Sequence, residues 1–360
     1  MRRNGFVLVA VLAMLVILSL LAGTVALVAQ RVRDDQLERQ RMLQARIDME
    51  STQASVLYLL LTQRMTFGGL TVDERVVLSD DERRAAANDR EDVISFMPTG
   101  NEIAMDGTTN RGLADIRFAL QDDRGLIAFN WTPPAILEGL LEQGRDESGA
   151  GPAAPRVPVA TLRNLLMDYQ DPDDLYRLNS AEADGYRREG LPAPANRVLA
   201  TPLELRRIKE WDKAIGFLDD REIVGTLTAT RSAQININTA PALVLASLPG
   251  VDLEMAARAV DARVLAPFIS LSGFEQLLGA APADEGLLSL YPLPSGTLTL
   301  WPAGGGAVQV LHWTLTPLDD GGRPWREDYE FTLPQSDGDT GQAARTPATP
   351  VFADAVPASG

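Results

Sequence analysis

The chain has 360 residues, no cysteine, a single histidine and a formal net charge of −16 at pH 7. This length allows two or three compact modules, and the acidic balance argues against polyanionic partners unless a basic patch overrides it. The sequence shows no such patch. Disulfide frameworks, thiol nucleophiles and Cys/His zinc sites are excluded, and a Ser-His-Asp triad would have to use His312. Most familiar catalytic chemistry is thereby excluded.

An uncharged run of 24 residues occupies residues 6–29. As a helix it would extend about 36 Å, enough to cross a hydrocarbon core of about 30 Å with some tilt. Arg2 and Arg3 precede the run, which predicts a cytoplasmic N-terminus, although Arg31 and Arg33 beyond it weaken the charge asymmetry. The sequence therefore predicts a single transmembrane helix with the rest of the chain on the non-cytoplasmic side of the membrane.

The first residues decide between two kinds of export signal. A secretory signal peptide has a shorter apolar core, about 7 to 15 residues, and ends at a small-residue cleavage site. The opening MRRNG followed by Phe6 instead resembles a type IV prepilin leader, in which a short basic peptide ends in Gly5. The resemblance implies that a prepilin peptidase cleaves residues 1–5 from the chain, between Gly5 and Phe6, and that Phe6 is then N-methylated. The alternative is an ordinary anchor helix with a chance Gly-Phe pair.

The run also departs from the usual pilin pattern. Most pilins carry a Glu at the fifth mature position, whereas this chain carries Ala10 and no carboxylate anywhere in residues 6–29. In the family that Glu is thought to pair with the N-terminal amine of the subunit above, which offsets the desolvation of both charges. Its absence is typical of the K-type minor pseudopilins of type II secretion, and it implies a position at the filament tip.

The long helix and a sheet are expected next. Residues 30–62 are amphipathic and contain no Gly or Pro, which predicts one continuous helix together with the apolar run. Short alternating segments in residues 63–131 predict strands of a pilin-like antiparallel sheet. Within them, residues 115–130 alternate around an Asp-Asp-Arg-Gly turn and predict a hairpin. Asp122 and Asp123 at its tip are then expected to be solvated turn formers rather than a catalytic pair.

Residues 132–222 form the first of two predicted helical subdomains. Their acidic loop and the later PLELRRIKEW resemble the inserted domain of K-type pseudopilins, whose members bind calcium there. Calcium prefers oxygen-rich loops, and six carboxylates fall within 17 residues, although their spacing fits no EF-hand: Asp168, Asp171, Asp173, Asp174, Glu182 and Asp184. The alternative is helix N-capping alone, by Asp171 or Asp173 before one helix and by Asn179 or Ser180 before the next.

Residues 223–285 form the second predicted helical subdomain, which resembles both DNA-binding helix-hairpin-helix modules and the second helical repeat of K-type pseudopilins. A DNA-binding hairpin needs a glycine loop and basic residues near the phosphates. Here the loop reads LPGVDLEM, so that the carboxylates of Asp252 and Glu254 would repel a phosphate. The nearby basic residues are Arg258 and Arg263, too few for a chain of this negative charge. A structural hairpin is favoured, with Asn236, Asn238 and Thr239 in turns and caps and an expected core of Ile235, Ile237, Leu243, Leu245, Leu248, Val251, Phe268 and Phe274.

The C-terminal part returns to alternation. Residues 286–334 predict strands that complete the sheet, with His312 beside Trp313 on one of them. A lone strand histidine without an adjacent acidic cluster is expected to be structural. Residues 335–360 are rich in Gly, Ala, Pro, Asp and Thr, which predicts a disordered tail.

The leader, the long helix, the acidic loop and the hairpin occur in an order that resembles the general secretion pathway protein K family. The resemblance implies an α+β fold: a pilin-like fold with a long N-terminal transmembrane helix on an antiparallel sheet, plus an inserted all-α domain of two SAM-like, helix-hairpin-helix-like halves. It implies no catalytic activity, no nucleic acid and no cofactor beyond structural calcium.

The resemblance also implies partners, namely I-type and J-type minor pseudopilins, a major pseudopilin, the prepilin peptidase and an inner-membrane secretion platform. Two other hypotheses remain open. One is a membrane-anchored DNA-uptake protein of the hairpin class. The other is an anchored periplasmic enzyme with an unrecognised site.

Overall fold

The protein consists of one long helix, an antiparallel sheet and a set of short helices inserted between its strands, so the predicted α+β fold class is confirmed. The computed structural model describes residues 4–72, 96–147, 157–279, 284–317, 322–335 and 343–352. The helices are α1 Asn4–Thr62, α2 Pro134–Glu147, α3 Val159–Gln170, α4 Ala183–Arg188, α5 Trp211–Ala214, α6 Asp220–Val224, α7 Ala242–Ala246, α8 Leu253–Leu265 and α9 Leu271–Leu278. The strands are β1 Met65–Thr66, β2 Gly69–Leu70, β3 Asp106–Arg111, β4 Ile116–Asp122, β5 Ile127–Ala128, β6 Leu227–Thr228, β7 Ile235–Asn236, β8 Leu288–Ser289, β9 Ser295–Pro302, β10 Ala307–Leu315 and β11 Trp325–Pro334.

Helix α1 has two halves with different surroundings. It is continuous from the apolar run into the head, as predicted. Its N-terminal half is long and apolar enough to cross a membrane. The most apolar stretch has a mean hydropathy of 2.8, and none of it is buried against the rest of the chain. Near its C-terminal end Val56, Leu59 and Leu60 are buried. The helix therefore belongs to the head only over its last turns.

The main sheet has five strands in the order β11-β10-β9-β4-β3, and every neighbouring pair is antiparallel. One face packs against α1 in a core that includes Val56, Leu59, Phe118, Leu300 and Trp313. Phe118 lies directly opposite Leu300 in the register of β4 and β9. The strands predicted in the C-terminal part are confirmed, and the stretch 73–95 of the earlier strand prediction lies outside the described residues.

The inserted helices share one apolar core. Buried side chains from both predicted subdomains, 132–222 and 223–285, belong to a single cluster that includes Trp211, Val244 and Phe274. Two short parallel ladders, β5 with β6 and β7 with β8, tie the insert to the ends of the main sheet. The boundary between the two subdomains stays a prediction.

The predicted hairpin over residues 115–130 is wrong. Strand β4 pairs with β3 and β9, and β5 pairs with β6 instead of returning along β4. The reason lies at Asp122, whose side chain accepts a hydrogen bond from the backbone N–H of Arg124 and caps a 3-10 turn over Asp123–Gly125. That turn directs the chain out of the sheet and into the helical insert.

The predicted disorder of residues 335–360 is wrong for part of the tail. Residues 343–352 lie on the head, where Arg345 forms a parallel bridge with the edge strand β3. Phe352 is 4% exposed and belongs to the core between α1 and the sheet. A main-chain bridge and a buried aromatic side chain thus hold a segment whose composition favours disorder. The remainder of the tail beyond Gln335 lies outside the described residues.

Candidate functional site

The acidic loop that follows α3 folds back onto that helix. Asp168 is fully buried near the helix end, and Asp171 is the residue at its C-cap. The guanidinium of Arg177 forms ion pairs with both carboxylates. The backbone N–H of Arg177 also donates to Asp168 at 2.9 Å. The loop is thus closed around one cation supplied by the chain itself.

A third carboxylate lies in the same place without a partner. Glu182 is 3% exposed, and its Oε1 atom is buried with no hydrogen-bond partner in the described structure, as is Oδ1 of Asp171. Burial raises the pKa of Glu182 to about 7, and the negative charges of Asp168 and Asp171 add to the effect. The described structure thus leaves one carboxylate oxygen of Glu182 and one of Asp171 buried without a hydrogen-bond partner.

Two of the other predicted calcium ligands have bonding partners of their own. Asp173 accepts a hydrogen bond from the backbone N–H of Leu175 at 2.8 Å, and Asp184 forms an exposed ion pair with Arg188 at 3.1 Å. Asp174 belongs to the same loop, and its charge adds to the raised pKa of Glu182. Across the described ranges, no group of three acidic or histidine side chains has the geometry of a formed metal site.

The capping alternative is wrong in its details. No helix follows Asp171 or Asp173, because the chain over residues 172–182 forms bends and turns. Helix α4 begins only after Glu182, which stands at its N-cap without a capping side-chain bond. Asn179 has a positive φ of 57°, which places it in a turn rather than at a cap. The carboxylates of the loop are therefore not accounted for by helix capping.

A buried polar joint connects the sheet to the insert at Asp122. The prediction of a solvated turn is wrong, because this carboxylate is 0% exposed. It accepts hydrogen bonds from Asn236 Nδ2 at 3.0 Å, Thr239 Oγ1 at 2.8 Å and the backbone N–H of Leu293 at 2.8 Å. Burial raises the pKa of Asp122 to about 6, although these hydrogen bonds act to lower it. Thr239 is consequently not the predicted N-cap of α7, where Pro241 stands instead.

Asp123 continues the joint and pairs with the only histidine. Its carboxylate lies 2.9 Å from Nε2 of His312, and Oδ2 of Asp328 lies 2.9 Å from Nδ1. Burial alone would lower the His312 pKa, but the charge of Asp123 and the bonds to both carboxylates raise it to about 9. Ser295 donates to Asp123 at 2.6 Å and not to the imidazole. The imidazolium can donate one N–H to each carboxylate, Nε2–H to Asp123 and Nδ1–H to Asp328.

The hairpin segment uses its basic residues internally. Arg263 is 7% exposed, donates to the backbone carbonyl of Ile237 at 3.0 Å and pairs with Asp106 of β3 at 3.3 Å. Arg258 pairs with Glu254 along the surface of α8. Asp252, in the loop where a phosphate would bind, caps α8 by accepting from the backbone N–H of Met255. The geometry does not support the DNA-binding alternative.

The expected core of the hairpin segment is present. Ile235, Ile237, Leu245, Leu248, Val251 and Phe274 are buried, and Leu243 and Phe268 are partly buried against them. Asn238, assigned to a turn, donates to the backbone carbonyls of Phe268 and Leu290, both at 2.9 Å. These bonds fix the segment to the strand that follows it.

The fold and these contacts define a class of protein: a head of sheet and inserted helices at the end of one long, apolar helix, held together by buried polar joints. The hairpin then points to a family. Residues 235–290 match the family model of the type II secretion system (T2SS) protein K, and this match confirms the predicted resemblance for the segment that it covers.

A solved structure resembles the chain over most of its length. It is the crystal structure of the GspK-GspI-GspJ complex from the type 2 secretion system of enterotoxigenic Escherichia coli. The sequences are 14% identical, the match covers 85% of this chain and 100% of that chain, and the TM-score is 0.46. No curated protein matches the sequence.

Proposed function

We propose that this chain is a non-enzymatic minor pseudopilin of type II secretion. It lies at the tip of the periplasmic pseudopilus with I-type and J-type minor pseudopilins and initiates pseudopilus assembly for the export of folded proteins across the outer membrane. The match of residues 235–290 to the protein K family carries this proposal. It is supported by the fully exposed apolar half of α1, which needs a partner outside the head.

The helix explains how such a subunit would work mechanically. An apolar stripe without acidic residues is stable in a bilayer and in a bundle of similar helices. Because α1 continues without a break into the core of the head, a displacement of its membrane half moves the whole head. The energy for this displacement comes from a separate cytoplasmic ATPase, as in the family.

The N-terminal sequence supports a place for this subunit at the tip of the pseudopilus, where no other subunit stacks above it. Ala10 stands where most pilins carry the Glu that pairs with the next subunit, and an unpaired buried amine would be costly. In this proposal a prepilin peptidase cleaves the chain between Gly5 and Phe6 at the cytoplasmic face of the bacterial inner membrane. The N-terminus stays cytoplasmic and the head lies in the periplasm.

Calcium binding by the acidic loop is part of the same proposal. The donor set consists of oxygens, and the buried, unpartnered oxygens of Asp171 and Glu182 fit a hard cation. Arg177 would have to leave its ion pairs with Asp168 and Asp171 for the ion to reach all three carboxylates. A bound calcium ion would supply positive charge there and fix the loop on α3.

The assembly proposal is tested by co-purification. The tagged full chain is extracted in mild detergent from cells that also produce the cognate I-type and J-type subunits. We expect both subunits to co-elute with it, and neither to co-elute with a tagged single-helix membrane protein of unrelated fold as control. Failure of folded, cognate subunits to co-elute would contradict the proposal.

A further inference from the structure

The segment 343–352, called the strap below, is held by the open edge of the sheet. The backbone N–H of Arg111 donates to the carbonyl of Arg345 at 2.8 Å, and the N–H of Arg345 donates to the carbonyl of Thr109 at 3.0 Å. The side chain of Arg345 is exposed. Contact with β3 is therefore made by main-chain atoms, a mode of recognition that does not depend on the side chain at this position.

The other end of the strap is held by one side chain. A hydrogen bond from the N–H of Thr349 to the carbonyl of Pro347 turns the chain, and a short 3-10 turn then delivers Phe352 to the core. The Phe352 ring lies 5.2 Å from the ring of Phe118 on β4. Val351 beside it is partly buried in the same cluster.

The edge that the strap covers is short. A register shift between Asp106 and Thr109 interrupts the pairing of β3, and Gly107 has a positive φ of 81°, so that the regular edge is limited to the last residues of the strand. Beyond it, the N–H of Gly112 is bonded to the carbonyl of Ile116. A ligand for this edge needs a short extended stretch and an aromatic residue seven positions later, as the strap has.

We propose that the edge of β3 and the Phe352 pocket together form a binding groove for an extended peptide, and that the strap occupies it as a detachable intramolecular ligand. The contacts between the strap and the groove include two main-chain bonds, the Phe352 ring and the partly buried Val351. The tether keeps its local concentration high, so the groove is filled whenever the tail is intact. The strap also covers the outer side of β3, the last strand of the sheet in the described part of the chain, and an uncovered strand edge can pair with other chains.

The groove is tested with a peptide supplied in trans. A truncated chain of residues 1–342, with the transmembrane helix and the rest of the head intact, is purified in detergent and titrated with a fluorescent peptide of residues 343–352. We expect binding to this chain and none to the intact chain at the same concentrations. A peptide with Phe352→Ala should bind on the order of 100-fold more weakly, because it lacks the aromatic anchor. A peptide with Arg345→Ala is the matched control and should bind equally well.

Absence of binding by a truncated chain that keeps its near-ultraviolet circular dichroism would overturn the proposal. Equal binding of the Phe352→Ala peptide would overturn it as well.

A second measurement does not depend on truncation. Asn110→Cys and Arg345→Cys are introduced into the otherwise cysteine-free chain, because paired positions on neighbouring strands lie about 4.8 Å apart, within disulfide range.

In a chain that also carries Phe352→Ala, the weakened strap competes poorly for the groove. Excess wild-type peptide should therefore reduce the yield of the 110–345 disulfide, and excess Phe352→Ala peptide should not. A disulfide yield that is the same with and without wild-type peptide would contradict a detachable strap.

Discussion

At the scale of residues, two adjacent aspartates have different environments. Asp122 accepts only from neutral donors and has a pKa raised to about 6, with burial as the cause. Burial also acts on Asp123, but the charge and hydrogen bond of His312 hold its pKa below the usual value. Both carboxylates are buried, and the ion pair with His312 is the contact that distinguishes Asp123 from Asp122. Asp122 thus connects the sheet to the insert through hydrogen bonds from neutral groups, and Asp123 does so through its ion pair with His312.

The ion pair predicts a pH dependence of stability. Because folding raises the His312 pKa from 6.5 to about 9, its contribution is fully present below pH 6.5 and is lost as the pH rises through 9. A shift of this size corresponds to a stabilisation on the order of 3 kcal/mol. Urea unfolding of the full chain in detergent should show His312→Gln to be destabilising at pH 6 and much less so at pH 10. An equal difference at both pH values would contradict the charged pair.

The acidic loop predicts a calcium effect that separates its carboxylates. Glu182→Gln removes a buried carboxylate whose pKa is raised by burial and by the neighbouring acidic residues, whereas Asp184→Asn removes an exposed one paired with Arg188. Titration calorimetry of the full chain in detergent should show calcium affinity lowered about tenfold or more by Glu182→Gln and nearly unchanged by Asp184→Asn. Equal affinities for the two variants would place the ion elsewhere.

Single residues were predictable from the sequence when only hydrophobicity decided their place. The hairpin core around Ile237 and Phe274 follows from the apolar pattern and is buried as predicted. The partners of Asp123 were not predictable, because His312 lies 189 positions away along the chain. Local turn propensity favoured a solvated Asp123, and a long-range ion pair overrode it. Glu182 was in the predicted set, but its burial and lack of a partner could not be read from spacing.

At the scale of elements, α8 is joined to the sheet through one buried ion pair. Arg263 on α8 reaches Asp106 at the start of β3, and both side chains are less than 10% exposed. Removing one partner leaves the other charge buried and unpaired, which costs more than the pair contributes when intact. The contact therefore predicts that two arginines of the same helix, Arg263 and Arg258, differ greatly in how much their replacement destabilises the protein.

Arg263→Ala should destabilise the protein by about 3 to 5 kcal/mol, while Arg258→Ala, an exposed change on the same helix, should cost no more than about 0.5 kcal/mol. The free energy of unfolding of each variant is measured with urea in detergent. Similar midpoints for the two variants would show that the Arg263 pair is not part of the fold's stability.

Long elements were predicted better than short ones. Helix α1 and strands β9 to β11 follow from hydrophobic periodicity over many residues. The hairpin at residues 115–130 was wrong because the alternation of β4 and of the following residues is the same whether or not they pair. Only the cap at Asp122 and the parallel ladder of β5 with β6 redirect the chain. The strap was missed because a Pro- and Ala-rich composition gives no sign of the main-chain bonds to β3 or of the burial of Phe352.

At the scale of the whole molecule, the helical insert lies on the face of the sheet opposite α1. Val224 of α6 packs with Trp301 and Val310 of that face, and the guanidinium of Arg221 lies 5.6 Å above the Trp301 ring. The head is thus built in three layers, with α1 and the insert on either side of the sheet.

The most direct test of the account is the mature N-terminus of the chain in its native membrane. Mass spectrometry should find N-methylated Phe6 as the first residue, and Gly5→Ala should leave the chain uncleaved and block secretion. That result would establish processing as a pseudopilin. An intact Met1, in cells whose prepilin peptidase processes the other pseudopilins, would contradict the central claim and leave an anchored protein of another kind.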